Sequence, residues 1–147
     1  MNIIQIRCTD ELWGKTIDYA RTCSWEGVGE HLAEIMEKNI FSDWETVFVV
    51  VAEDDILGFS TFMKEDFYPD NRYSPWISTI FVDEKYRGNR LSGKMIEKVI
   101  EYAKETGFEK VYIPSDMKNF YEKYGFVEID SLENYAGDID AIFMREI

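Results

Sequence analysis

The chain has little of what marks several protein classes. Two cysteines, Cys8 and Cys23, in 147 residues supply neither a disulfide framework nor a paired metal-ligand spacing. The one histidine, His31, has no cysteine or histidine beside it in sequence to complete a zinc site, so no metal is expected. Three prolines and nine glycines leave no Pro- or Gly-rich linker. With no internal repeat either, one domain over residues 1–147 is expected. No apolar run approaches the roughly 18 residues of a membrane helix. The first residues lack the basic-then-apolar pattern of a secretory signal. The expectation is a soluble, cytoplasmic protein without a membrane partner. Basic residues are scarce too: 16 stand against 29 acidic ones, for a formal charge of −13. Nucleic acid is thereby excluded as a general partner, because such binding draws its affinity from basic phosphate contacts. An acidic surface suits a cationic or amine-bearing one.

What is present centres on residues 77–94. Ile77-Ser78-Thr79-Ile80-Phe81-Val82 is β-branched and aromatic and reads as a partly buried strand. After it come Asp83-Glu84-Lys85-Tyr86 and then Arg87-Gly88-Asn89-Arg90-Leu91-Ser92-Gly93-Lys94, which feeds a helix. A strand, a small-residue turn and a helix N-terminus together bind anions, since first-turn N–H groups are unpaired and the helix dipole favours negative charge there. Lys85, Arg87, Arg90 and Lys94 add a basic cluster to an otherwise acidic chain, so a phosphate-bearing ligand is expected at this turn.

The remaining elements follow from periodicity. Asn2 to Arg7 reads as a strand, and Asp10 caps a helix with Leu12, Trp13, Ile17 and Tyr19 at helical spacings. Ser24 to Gly29 interrupts it, and a second helix is expected over Glu30–Lys38. Val47–Ala52 is an apolar strand whose hairpin partner is Ile56–Met63. Lys64–Ser74 is a polar and aromatic loop, and Pro75-Trp76 starts the central strand. Leu91, Met95, Val99, Ile100 and Ala103 form one helical stripe closed by Gly107. Lys110–Ile113 is expected to lie parallel to the Ile77 strand after a right-handed crossover. Ser115 or Asp116 would cap a short helix from Met117 to Tyr124, ended by Gly125. Phe126–Ile129 and Ile139–Met144 read as the last strands. The order β-α-α-β-β-β-α-β-α-β-β implies a mixed sheet with helices on both faces.

Two readings of the phosphate turn compete. Gly88 to Lys94 fits G-x-x-x-x-G-K, most of a nucleotide-triphosphate loop. Against it, Met95 stands where Ser or Thr should ligate magnesium, no apolar strand ends in a suitable Asp, and the chain is short for that fold. The other reading is the pyrophosphate loop [QR]-x-x-G-x-[GA]: Arg87 to Ser92 resembles the loop that follows the fourth strand of GNAT-superfamily N-acetyltransferases. Arg90 stands at the usual first glycine, a position expected to need no positive φ as the chain enters the helix, and Ser92 at the usual Gly or Ala. Phe120-Tyr121-Glu122-Lys123-Tyr124-Gly125-Phe126 is similar to the Y-E-K-x-G-F signature of the same family. The element order matches as well, over nearly the whole chain.

The resemblance implies a fold and a chemistry. The fold is α/β (α+β), a GNAT-like mixed central sheet of about seven strands with helices on both faces. The activity is acetyl transfer from acetyl-CoA, as co-substrate, to a primary amine by direct attack in a ternary complex. Backbone groups of Ile80, Phe81 and Val82 would pair with the pantetheine arm. Arg87, Gly88, Asn89, Arg90, Leu91, Ser92 and Gly93 would hold the pyrophosphate. Tyr121 would protonate the departing thiolate as general acid. By position, Trp25, Glu26, Tyr68, Tyr73 and Trp76, with Phe67, would wall the amine pocket. Glu26, Glu65 and Asp66 are the acids near it, each read as solvated. The acceptor is expected to be a small cationic amine, with a protein N-terminus or lysine, or a non-catalytic acyl-CoA-binding role, as alternatives. Either a monomer or a homodimer is compatible with the resemblance.

Overall fold

The computed structural model describes residues 1–88, 90–115 and 119–147. The elements are β1 (Asn2–Ile6), α1 (Glu11–Thr22), α2 (Glu26–Glu37), β2 (Thr46–Ala52), β3 (Asp55–Met63) and β4 (Trp76–Val82). A 3-10 turn (Glu84–Tyr86), α3 (Leu91–Thr106), β5 (Lys110–Ser115), a second 3-10 turn (Tyr121–Tyr124), β6 (Val127–Glu133) and β7 (Ile139–Glu146) complete them. The strands form one seven-stranded sheet in the order β1-β2-β3-β4-β5-β7-β6. Only β4 and β5 run parallel, joined through the α3 crossover, and every other neighbouring pair is antiparallel.

Both faces of the sheet are covered because its strands are apolar on both sides. In β2, Val47, Val49 and Val51 pack with Trp13, Ala20, Leu32 and Met36 of α1 and α2. The intervening Phe48 packs with Ile96, Val99 and Ile100 of α3, and Val50 with Leu91 and Met95. The α3 stripe read from the sequence is buried throughout. At its end Gly107 takes φ +103°, and the N–H groups of Gly107 and Phe108 both donate to the Ala103 carbonyl.

Local irregularities shape the middle of the sheet. Between the pairs Phe59↔Phe81 and Thr61↔Ser78, β4 spends one residue more than β3, so it carries a bulge at Thr79–Ile80. Thr79 there has φ +51°. The Ser78 carbonyl accepts the hydroxyls of Ser60 (3.1 Å) and Thr61 (3.3 Å) beside it. Beside the bulge, Gly58 pairs with Val82 so closely that a Cβ on it would lie 2.4 Å from the Phe81 oxygen.

Four features differ from expectation. The second helix begins at Glu26 rather than Glu30, because Gly27 and Gly29 are absorbed into it and only residues 23–25 break the chain. Ser115 is not a helix cap: it pairs with Ala141 as the last residue of β5. Of the helix expected over Met117–Tyr124, Met117 and Lys118 lie outside the described residues, and Tyr121–Tyr124 is a single 3-10 turn stopped by Gly125 at φ +87°. β6 runs on to Glu133, past the expected end at Ile129, with its own register shift between Glu128 and Asp130.

Candidate active site

The site is built where β4 and β5 part. The parallel pair is registered at one position, Trp76↔Tyr112, next to a bond from the Tyr112 N–H to the Pro75 oxygen (3.0 Å). Beyond that point β5 pairs only with β7 among the described residues. The β5-facing edge of Ile80, Phe81 and Val82 is thus a strand edge with backbone groups to offer, the arrangement that accepts an extended chain as an added strand. Ile80 is half-buried, whereas Phe81 and Val82 are buried and fixed by the β3 ladder. The bulge at Thr79 reorients backbone polar groups midway along this edge.

At the C-terminal end of β4 the chain enters the basic turn. Asp83 caps the first 3-10 turn through the Lys85 N–H (3.1 Å) and accepts the Tyr19 hydroxyl (3.2 Å), tying α1 to the turn. Burial, and then Asp83, push the Tyr19 phenol well above its ordinary range. The Arg87 Nε donates to the Val82 oxygen (3.0 Å) and its guanidinium lies 5.8 Å from the centre of the Phe81 ring, so this arginine is folded back onto β4. Gly88 has φ +90°. Arg90 has φ +58° and ψ +24°, correcting the expectation that its position needs no left-handed backbone. A left-handed backbone is the conformation that glycine adopts without penalty, and here an exposed arginine occupies it at a cost. The first intrahelical bond of α3 is from the Lys94 N–H to the Arg90 oxygen (3.1 Å). The N–H groups of Leu91, Ser92 and Gly93 therefore have no carbonyl within the helix, which suits an anion. Asn89, also expected here, lies outside the described residues.

Gly93 has a second task. A Cβ on it would sit 2.5 Å from Cε1 of Tyr124, so its missing side chain seats the Tyr124 ring of the second 3-10 turn against α3. That turn also carries Tyr121, which is 6% exposed. Its ring meets Phe120, Phe126 and Phe143 edge-on or tilted at 4.9–6.3 Å.

At the opposite end of β4 the β3–β4 loop closes a pocket of about 180 Å³. Tyr68, Tyr73, Trp76 and Tyr135 wall it, with Glu65, Asp66 and Asp70 as its acids. Tyr68 stacks on Trp76 at 5.5 Å and 26°, and Tyr73 lies 5.0 Å from Tyr112. The hydroxyls are held from across the sheet: Tyr68 donates to Asp140 of β7 (2.8 Å) and Tyr73 to Asp130 of β6 (2.7 Å). The Tyr68 phenol is pushed far up by burial and by its carboxylate neighbours, whereas the bond from Tyr73 holds Asp130 below the usual carboxylate range. Asp66 corrects the reading of the nearby acids as solvated. It is half-buried, accepts the Ser78 hydroxyl and the Phe67 N–H (2.6 Å), and its carboxyl is raised above the usual range, chiefly by burial.

Of the expected pocket residues, Tyr68, Tyr73 and Trp76 are brought together. Trp25 and Glu26 are not among the lining residues: Trp25 caps α2 at 44% exposure and Glu26 starts its first turn. Phe67 sits outside the wall with its ring 5.5 Å from Tyr135. Sequence reasoning missed Asp130, Tyr135 and Asp140, which lie more than 50 residues downstream of the loop they support and carry no local motif.

A family model described as "Acetyltransferase (GNAT) family" matches residues 11–126. The chain belongs to that family. Its activity is that of an acyl-CoA-dependent N-acetyltransferase. Among solved structures it is similar to an aminoglycoside 6′-acetyltransferase type Ii (TM-score 0.77, 19% identity, 99% of this chain and 97% of that one). It is also similar to the aminoglycoside 6′-N-acetyltransferase from Enterococcus faecium (TM-score 0.77, 15% identity, 99% and 97%). A GNAT family acetyltransferase from Elizabethkingia anophelis with acetyl-CoA bound gives a TM-score of 0.70 at 16% identity, again over 99% and 97%. At these identities the likeness is one of fold. No curated protein matches the chain by sequence. The β4 edge left open where β5 turns to β7 can pair with an extended arm, and the N-terminus of α3 behind its basic turn suits a pyrophosphate, so the residues present fit a coenzyme A thioester.

Proposed function

We propose that this chain, acting as a single GNAT domain, transfers the acetyl group of acetyl-CoA to the primary amine of a small cationic molecule, by direct attack in a ternary complex. The observation that carries the substrate class is the acidic, aromatic-walled pocket at the start of β4. Tyrosine and tryptophan faces attract cations, carboxylates favour the ammonium form, and the net charge of −13 draws such molecules in. At about 180 Å³ the pocket suits an alkylammonium or amino-sugar arm. Two of the similar structures are acetyltransferases named for aminoglycosides, which supports an amine of that kind.

In this reading the backbone of Ile80, Phe81 and Val82 lines up the pantetheine arm, and an N–H near the bulge faces the thioester oxygen where negative charge develops. The N–H groups of Leu91, Ser92 and Gly93, which have no carbonyl partner within α3, hold the pyrophosphate with Arg87, Gly88 and Arg90 before them. Acetyl-CoA supplies an activated acyl group on a thiolate leaving group. Tyr121, at the family's signature position, delivers a proton to that sulfur.

Thermal shift tests binding, and thiol release against an amine panel tests transfer. Ligand at about a hundred times its Kd adds ~2.7 kcal/mol. Stabilisation by acetyl-CoA and CoA but not by magnesium-ATP is expected, with thiol release for small diamines or amino sugars. Thiol release confined to peptide N-termini or lysines would replace the small-molecule reading with the protein-substrate one.

A further inference from the structure

We propose that Asp66 takes the first proton from the acceptor ammonium, with the Ser78 hydroxyl holding its carboxylate beside the β4 bulge. The inference rests on the acetyl-transfer reading above and adds its proton acceptor. Asp66 lies three residues past the end of β3 and lines the aromatic pocket. One carboxylate oxygen accepts the hydroxyl of Ser78, a β4 residue adjoining Thr79 of the bulge, and the other accepts the Phe67 N–H at 2.6 Å. The same carboxylate thus touches both the amine pocket and the strand that positions the thioester. Each oxygen keeps a second lone pair for an incoming N–H. The charged and titratable groups around it are His31 from α2, Asp140 from β7 and Tyr68 from its own loop. Burial makes the carboxylate a stronger base than a solvated one, as a proton acceptor for an ammonium requires.

The protons balance. An acceptor R–NH3⁺ carries three. One passes to Asp66, freeing the nitrogen lone pair to form the N–C bond. As the C–S bond breaks, sulfur keeps the electron pair and receives a second proton by way of Tyr121, which recovers it from the nitrogen. The third stays on the amide, and Asp66 returns its proton to water after product leaves.

The test is thiol-release kinetics on the full chain, with acetyl-CoA and a panel of small monoamines, diamines and amino sugars, from about pH 5 to about pH 10. In D66N, kcat is expected to fall roughly 100-fold or more, with the KM for acetyl-CoA within about twofold and the acidic limb of kcat/KM gone. Its Tm should hold or rise, because an amide oxygen still accepts a hydrogen bond and a crowded charge has been removed; a loop-structuring role alone would lower Tm and leave the limb in place. S78A removes a bond to the charged form, so the acidic limb should move to higher pH while turnover persists. A D66N enzyme that keeps the limb and turns over within about tenfold of wild type, or an S78A enzyme whose limb stays put, overturns the assignment alone. A wild type that binds CoA yet releases no thiol with any amine overturns the acetyl-transfer reading and Asp66 with it.

Discussion

Gly58→Ala isolates the close approach on which the geometry of β4 depends. Gly58 is a β3 residue paired with Val82 at the end of the strand edge assigned to the pantetheine arm. Its φ is not in the left-handed range, so alanine is permitted by its backbone and any penalty must come from contact. The added Cβ would lie 2.4 Å from the Phe81 oxygen and 3.2 Å from the Val82 Cα, and real Cβ contacts essentially never fall below 3.0 Å. The strands must therefore open by about 0.6 Å at a backbone atom, which cannot rotate away as a side chain would. Overpacking of this kind costs ~1–3 kcal/mol, partly offset by ~0.4–1 kcal/mol from the less flexible unfolded chain. A net loss of about 1–2 kcal/mol lowers Tm by roughly 3–8 °C in a chain of this length. Urea unfolding is the assay: the midpoint should fall with an unchanged m-value, and the KM for acetyl-CoA should rise a few-fold as β4 is displaced. Gly14→Ala and Gly27→Ala are the controls, because both lie in helices with nothing within 4 Å of the new methyl. Each should stabilise by ~0.5–1 kcal/mol. A G58A protein with the midpoint of wild type or higher would refute the reasoning.

Arg90→Gly removes a side chain from a left-handed position. The relief of ~1–2 kcal/mol, less ~0.4–1 kcal/mol of unfolded-state entropy, should raise Tm by a few degrees in a thermal melt. Tyr121→Phe should lower kcat by roughly 100-fold or more while CoA affinity, measured by calorimetry, stays within about twofold. Gly93→Ala forces the Tyr124 ring off α3 and should cost ~1–3 kcal/mol; the double variant with Tyr124→Ala should recover part of it, read as coupling in a double-mutant cycle. The raised Asp66 carboxyl also makes stability depend on pH. The folded state holds this proton more tightly than the unfolded chain, so its contribution is full below the ordinary Asp value of about 3.9 and is lost as pH rises through the folded value. Chemical denaturation across that window should show wild type declining relative to D66N.

Much of the molecule was written in local pattern. The α3 stripe from Leu91 to Ala103 needs only a 3.6-residue period, the Gly107 cap only a left-handed glycine, and the parallel placement of β5 only the handedness of a crossover. The basic turn between β4 and α3 was legible because it is made by consecutive residues ahead of a helix start. Tertiary structure decided what depends on residues far apart. Whether Arg90 must take a positive φ is set by how the turn leaves β4 and meets α3. Gly93 is bound to glycine by a ring 31 positions away, and Tyr68 and Tyr73 are held by Asp140 and Asp130 from the far strands. Asp66 shows the division most clearly. In sequence it is one acid among 29 in a polar loop, with nothing to set it apart from Glu65. It acquires a shifted proton affinity only because the loop folds it under Ser78 and away from water, and desolvation is a property of surroundings rather than of the residue.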